Sequence, residues 1–127
     1  MLEKFTVHAT LPCSDFDRAK AWYRERLGLT PASEDAGGAY YECGEGTSFG
    51  LFPTSYAGTA KNTQMEWSVP DIQAVVDELK ASGVTFERFD MPGVEWNGDI
   101  ATMGPFKGCW FKDSEANTLS ITERVET

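Results

Sequence analysis

Hydrophobic and polar residues alternate with period two from residue 4 to residue 11. This predicts a strand with Phe5, Val7 and Leu11 on one face and Thr6, His8 and Thr10 on the other. Residues 12–14 break the alternation. Ser14 is the expected N-cap of a helix, with Asp15 and Asp17 in its first turn, where the helix dipole favours carboxylates. Phe16, Ala19, Trp22, Tyr23 and Leu27 follow at helical spacing, and Gly28 stands where a left-handed residue ends a helix. Pro31 and the pair Gly37-Gly38 then punctuate a short strand. Residues 39–43 and 47–53 read as a hairpin across Gly44-Glu45-Gly46, and residues 54–62 as a connection without periodicity.

The same plan then returns. Residues 64–69 form a strand, and Ile72, Val75, Val76 and Leu79 the apolar stripe of a helix that Gly83 ends. A strand is expected at 84–89, an irregular excursion carrying Trp96 at 91–104, and a second hairpin at 107–112 and 118–123. Asp15 matches Asp71 and Gly28 nearly matches Gly83. Tyr40-Tyr41 matches Trp110-Phe111, and Phe49-Gly50-Leu51 matches Leu119-Ser120-Ile121, at a larger offset because of the excursion. The expectation is one α+β domain built from two βαβββ modules, the first about 1–55 and the second about 62–125.

The net charge of −9 argues against a nucleic-acid partner, which requires clustered lysine and arginine. It is mainly a solubility feature, weakly compatible with a cationic ligand. Cys13, Cys43 and Cys109 have no metal-ligand spacing and are expected as free thiols of a reducing compartment. No apolar run approaches a membrane span and no signal pattern opens the chain, so no membrane partner and a cytoplasmic location are expected.

The segments 8–15, Ala21-Trp22-Tyr23, Leu27-Gly28-Leu29 and Trp110-Phe111-Lys112-Asp113 with Asn117 closely resemble the vicinal oxygen chelate (VOC) superfamily. That superfamily includes glyoxalase I, the bleomycin-resistance proteins and extradiol dioxygenases. The resemblance implies paired modules curling into a curved mixed sheet around a pocket, and a homodimer that builds the pocket from both subunits. In the glyoxalase-like pattern, metal ligands come from the first and last strand of each module, which here correspond to His8, Gly50, Gln64 and Ser120. His8 is an ordinary ligand and Gln64 a weak one, whereas Gly50 has no side chain and Ser120 offers a neutral hydroxyl. A metal-free pocket with no cofactor is therefore expected. The alternative is a divalent metal at His8 with Gln64 or Glu66, and Glu42 could join a relocated set.

Ligand-binding candidates are His8, Tyr40, Phe52, Gln64, Glu66, Trp110 and Ser120, the aromatics sharing an inferred inward parity. The hydroxyls of Thr6, Thr10, Thr118, Ser120 and Thr122 leave room on the same faces. Trp22, Tyr23 and Trp67 are assigned to the helix–sheet core, and Trp96 and Phe106 to a lid or a dimer contact. The family's Asp-Pro-Asp-Gly-Asn turn reads Asp113-Ser114-Glu115-Ala116-Asn117 here, so Asn117 is the residue expected to take any left-handed conformation. The first functional expectation is bleomycin-resistance-like binding or sequestration of a small organic molecule. The alternatives are a metal-dependent glyoxalase- or dioxygenase-type enzyme, and a metal-free isomerase or lyase using His8 and Glu66 as acid and base.

Overall fold

A computed structural model of the chain describes residues 1–124, so the module boundary expected near residue 125 lies outside the described residues. The chain forms two compact units, residues 1–59 with 114–117, and residues 60–113 with the segment from 118 onward.

The first unit contains β1 (Ala9–Cys13), α1 (Phe16–Leu27), β2 (Ser33–Asp35), β3 (Gly38–Glu42) and β4 (Ser48–Pro53). Its sheet runs β1-β4-β3-β2, with β1 parallel to β4 and the other pairs antiparallel. β1 begins later than the alternation predicts. Leu2–Lys4 makes a 3-10 turn, Phe5 and Val7 are 66% and 89% exposed, and His8 precedes the strand. The reason is the length of the neighbour. β4 starts at Ser48 and already pairs Phe49 with Ala9, so upstream residues have almost no β4 backbone to bond.

The cap of α1 also differs from the expectation. Asp15, not Ser14, is the N-cap and accepts from the Arg18 N–H at 3.0 Å, because the Ser14 hydroxyl and N–H both donate to Glu115. Gly28 ends the helix at φ 70° as expected. The face of the sheet toward α1 buries Leu11, Ala39 and Leu51, while Tyr23 packs on Tyr41 and Phe49, whose rings stack 4.8 Å apart. The Tyr41 hydroxyl is buried there without a hydrogen-bond partner. Burial, reinforced by Glu34 and Cys13, pushes its pKa up to about 12.

The segment 114–117 closes this unit. Ala116, not Asn117, takes the left-handed conformation at φ 64°, because the buried Asn117 amide is committed to the Pro12 carbonyl at 2.9 Å. The Glu115 side chain is fully buried and accepts from the Ser14 and Asp15 N–H groups, the Ser114 hydroxyl and the Arg18 guanidinium. Burial raises its pKa, but these donors together outweigh burial and hold it at about 2.

The second unit contains β5 (Thr63–Ser68), α2 (Ile72–Ala81), β6 (Phe86–Glu87), β7 (Glu95–Asn97), β8 (Ile100–Met103), β9 (Phe106–Lys112) and β10 (Thr118–Arg124). Its sheet runs β5-β10-β9-β8-β7, with β5 parallel to β10 and β6 also paired to β9. Asp71 caps α2 as Asp15 caps α1, and Ile72 and Val76 pack with Val84, Phe111, Leu119 and Ile121 in the buried core. The excursion at 91–104 is not irregular. It is the β7–β8 hairpin, turned at Gly98 with φ 63°, and Asp99 in the turn pairs with Lys80 at 2.6 Å. This hairpin also shortens the strand expected at 84–89. β9 has one free edge, and β8 occupies its first half while β6 pairs only with Trp110 and Phe111. The architecture is the expected α+β pair of modules with two helices and ten strands in two mixed sheets among the described residues. Among those residues no helix is long and apolar enough to cross a membrane.

Two stability outcomes follow from the first unit. Tyr41→Phe removes a buried hydroxyl that has no partner, and chemical denaturation is expected to show it unchanged or more stable by about 1 kcal/mol. Glu115 carries a carboxyl pKa below its ordinary value, so its stabilisation is present above about pH 4.5 and is lost as pH falls toward 2. The full effect is about 3 kcal/mol, less some screening at the half-exposed Arg18. Glu115→Gln is expected to be destabilised at pH 7 by a comparable amount, with a flatter stability profile than the parent between pH 4.5 and 2.

Candidate functional site

Strand alternation gives each sheet a second face, opposite its helix, and these faces hold most of the candidate residues. In the first unit the register aligns Thr10, Gly50 and Tyr40 across β1, β4 and β3, with Phe52 two residues along β4 on the same side. Tyr40 and Phe52 therefore share the expected parity, and each is 37% exposed. The Tyr40 ring lies against Gly50, since a Cβ built there would stand 3.4 Å from its Cδ1 atom. Its hydroxyl donates to Asp35 at 3.3 Å, and the Asp35 charge is the main cause of its raised pKa. His8 is exposed at the strand's N-terminal side.

In the second unit the register aligns Glu66, Ser120 and Trp110 across β5, β10 and β9, with Glu87 of β6 beside Trp110. Glu66 rather than Gln64 is thus the residue opposite Ser120. Gln64 sits at a bulge in the β5–β10 ladder, and its side-chain oxygen accepts the Thr118 N–H at 3.0 Å. Glu66 is exposed and accepts from the Thr122 hydroxyl at 3.3 Å. Ser120 and Thr118 are buried, 2% and 4% exposed, so these hydroxyls do not line an open surface.

Trp110 is the centre of this face. Its indole N–H donates to the Thr63 hydroxyl at 3.1 Å, and its ring meets Phe89 edge-on at 5.7 Å and Trp96 at 6.1 Å. The Arg88 guanidinium lies 5.6 Å from the Trp96 ring centre. Glu87 accepts from Lys112 at 3.2 Å through one oxygen, while its other oxygen is buried without a partner. Phe89 and Arg88 were not among the sequence candidates. They follow a two-residue strand whose parity no periodic pattern could extend. Trp96 belongs to this cluster because β7 pairs it with Ala101, on the same face as Gly108 and Trp110. Phe106 lies along the same face of β9, with Arg124 over its ring.

The positions matched to the family's metal ligands do not make a metal site from this donor set. In the first unit Gly50 has no side chain and a tyrosine ring covers it; in the second the Gln64 oxygen is engaged by the backbone and Ser120 is buried. Among the described residues no group of three or more His, Cys, Asp or Glu side chains is placed to hold a metal ion. No disulfide joins the three cysteines; Cys13 and Cys109 are buried, and the Cys109 thiol is pushed up to about 11 chiefly by burial.

A family model described as Glyoxalase/Bleomycin resistance protein/Dioxygenase superfamily matches residues 6–121. No curated protein sequence matches the chain. Among solved structures, a bleomycin-binding protein complexed with bleomycin is 19% identical, with a TM-score of 0.71 over 94% of this chain and 98% of that one. A glyoxalase/bleomycin resistance protein from Catenulispora acidiphila is 21% identical, with a TM-score of 0.69 over 94% and 97%. The fosfomycin resistance protein FosX from Listeria monocytogenes, complexed with Mn(II) and a dihydroxypropylphosphonic acid, is 12% identical with a TM-score of 0.66 over 97% and 90%. At these identities the likeness establishes the fold.

Thr63→Val removes the acceptor of the Trp110 indole at nearly constant volume. The expected outcome is a stability loss of about 1 kcal/mol and a change in tryptophan emission, read by denaturation and fluorescence.

Proposed function

We propose that this protein, which belongs to the glyoxalase/bleomycin resistance protein/dioxygenase superfamily, binds a small organic molecule without a metal and sequesters it. The observation that carries this reading is the pairing of Gly50 with Tyr40. Where the glyoxalase-like pattern supplies a metal-binding side chain, this chain has bare backbone with an aromatic ring packed against it. The Trp110, Trp96 and Phe89 cluster supports the same reading, because partly exposed rings favour a flat, apolar ligand over a hydrated ion. The bleomycin-bound neighbour is a precedent for binding within this fold. A homodimer completing the pocket is part of the proposal, supported by the exposed apolar side chains of Leu2, Phe5 and Val7.

Metal content per chain, measured on protein purified without chelators and then exposed to Ni, Zn, Mn and Fe(II), tests the reading. The expected result is far less than one metal per chain, with calorimetric binding of planar aromatic compounds that a chelator leaves unchanged. Trp110→Ala is expected to weaken that binding about tenfold, in line with the loss of one stacking partner. Stoichiometric metal that disappears in His8→Ala would overturn the proposal.

A further inference from the structure

The chain is strongly acidic, which by composition is mainly a solubility feature and only weakly compatible with a cationic ligand. The aromatic face of the second unit carries the carboxylates Glu66 and Glu87 and, at the Trp96 end, an exposed arginine. Arg88 is exposed and placed over the Trp96 ring, and Trp96 in turn contacts Trp110. Of the other cations at this face, Lys112 is paired with Glu87 and Arg124 lies over the Phe106 ring. No described carboxylate pairs with Arg88, although acidic residues outnumber basic ones by 20 to 11 in the sequence. At 5.6 Å the Trp96 ring attracts the Arg88 guanidinium through its quadrupole, and the N–H groups of this exposed side chain have no described carboxylate to bond. An arginine held near an aromatic surface can grip a planar, two-oxygen anion through its fork of N–H donors.

We infer that the Arg88, Trp96 and Trp110 cluster is an anion-selective subsite, and that the ligand class is a planar aromatic molecule bearing a carboxylate or a similar oxyanion. The inference rests on the small-molecule reading above and adds the sign of the ligand's charge. The rings supply area for the aromatic body, with Phe89 set edge-on to Trp110 at its margin. Arg88 supplies the charge that distinguishes an acid from its neutral isostere. Trp96 is carried by the β7–β8 hairpin, whose turn is tied to α2 by the Lys80–Asp99 ion pair, so the subsite depends on this hairpin.

Calorimetric titration with three matched probes tests the inference: 2-naphthoate, its neutral amide 2-naphthamide, and the cation 2-naphthylmethylammonium. The intact protein is expected to bind the naphthoate about tenfold more tightly than the amide, and the ammonium most weakly, consistent with one charge-assisted bidentate contact. Arg88→Gln is expected to abolish the preference for naphthoate over the amide. Arg88→Lys should restore only part of the preference, because a lysine keeps the charge and lacks the planar fork. Trp96→Ala should weaken naphthoate and amide alike. Arg88 is exposed, so thermal melting should show its variants folded like the parent. Amide or ammonium binding as tight as naphthoate would overturn the inference and leave the small-molecule reading standing. A naphthoate preference that persists in Arg88→Gln would also overturn it. Failure of all three probes to bind would overturn the inference and count against the binding reading itself.

Discussion

Each sheet has to give one of its two faces to a helix, and that constraint organises the molecule. Successive side chains on a strand point in opposite directions, so burying Leu11, Leu51, Ala39 and Tyr41 on the α1 side commits Thr10, Gly50, Phe52 and Tyr40 to the other. In the second unit, burying Phe111, Leu119 and Ile121 on the α2 side does the same for Trp110, Ser120 and Glu66. Each large apolar side chain buried contributes roughly 1.5–3 kcal/mol, so a slip by one residue would reverse several such contributions at once. The helix side therefore fixes the register, and the opposite side is free to differ in chemistry.

That freedom explains how one fold holds a metal ion in FosX and bleomycin in another relative. At the positions that the family resemblance matches to metal ligands, this chain lacks a donor at Gly50 and engages Gln64 locally. A tyrosine ring fills the space over Gly50, and a backbone N–H at a bulge takes the Gln64 oxygen. What remains on the second sheet is an aromatic cluster with one exposed guanidinium beside it. Net charge describes the average surface, whereas recognition depends on the few groups within a Debye length of the ligand.

The segment 114–117 shows how a turn can acquire a structural task. Its Glu115 receives the free N–H groups at the start of α1, which is where an unpaired carboxylate is most stabilised. Arg18, one turn into the same helix, neutralises the charge. Holding Asn117 to the Pro12 carbonyl leaves the left-handed position to Ala116, an uncommon conformation for a residue with a Cβ.

The sequence by itself determined the two modules, both helices with the glycines that end them, the paired hairpins and the parity of Tyr40, Phe52 and Trp110. All of these rest on short-range periodicity or on residues with one dominant conformational role. Tertiary structure decided the rest. Where β1 begins depended on where β4 begins, the cap of α1 on a glutamate a hundred residues away, and the order within residues 91–104 on a free edge of β9. Arg88 and Phe89 reached the aromatic face only because β6 ends after two residues. Such features follow from long-range pairing, in which the partner's length and position set the outcome. No local pattern in the chain encodes that information.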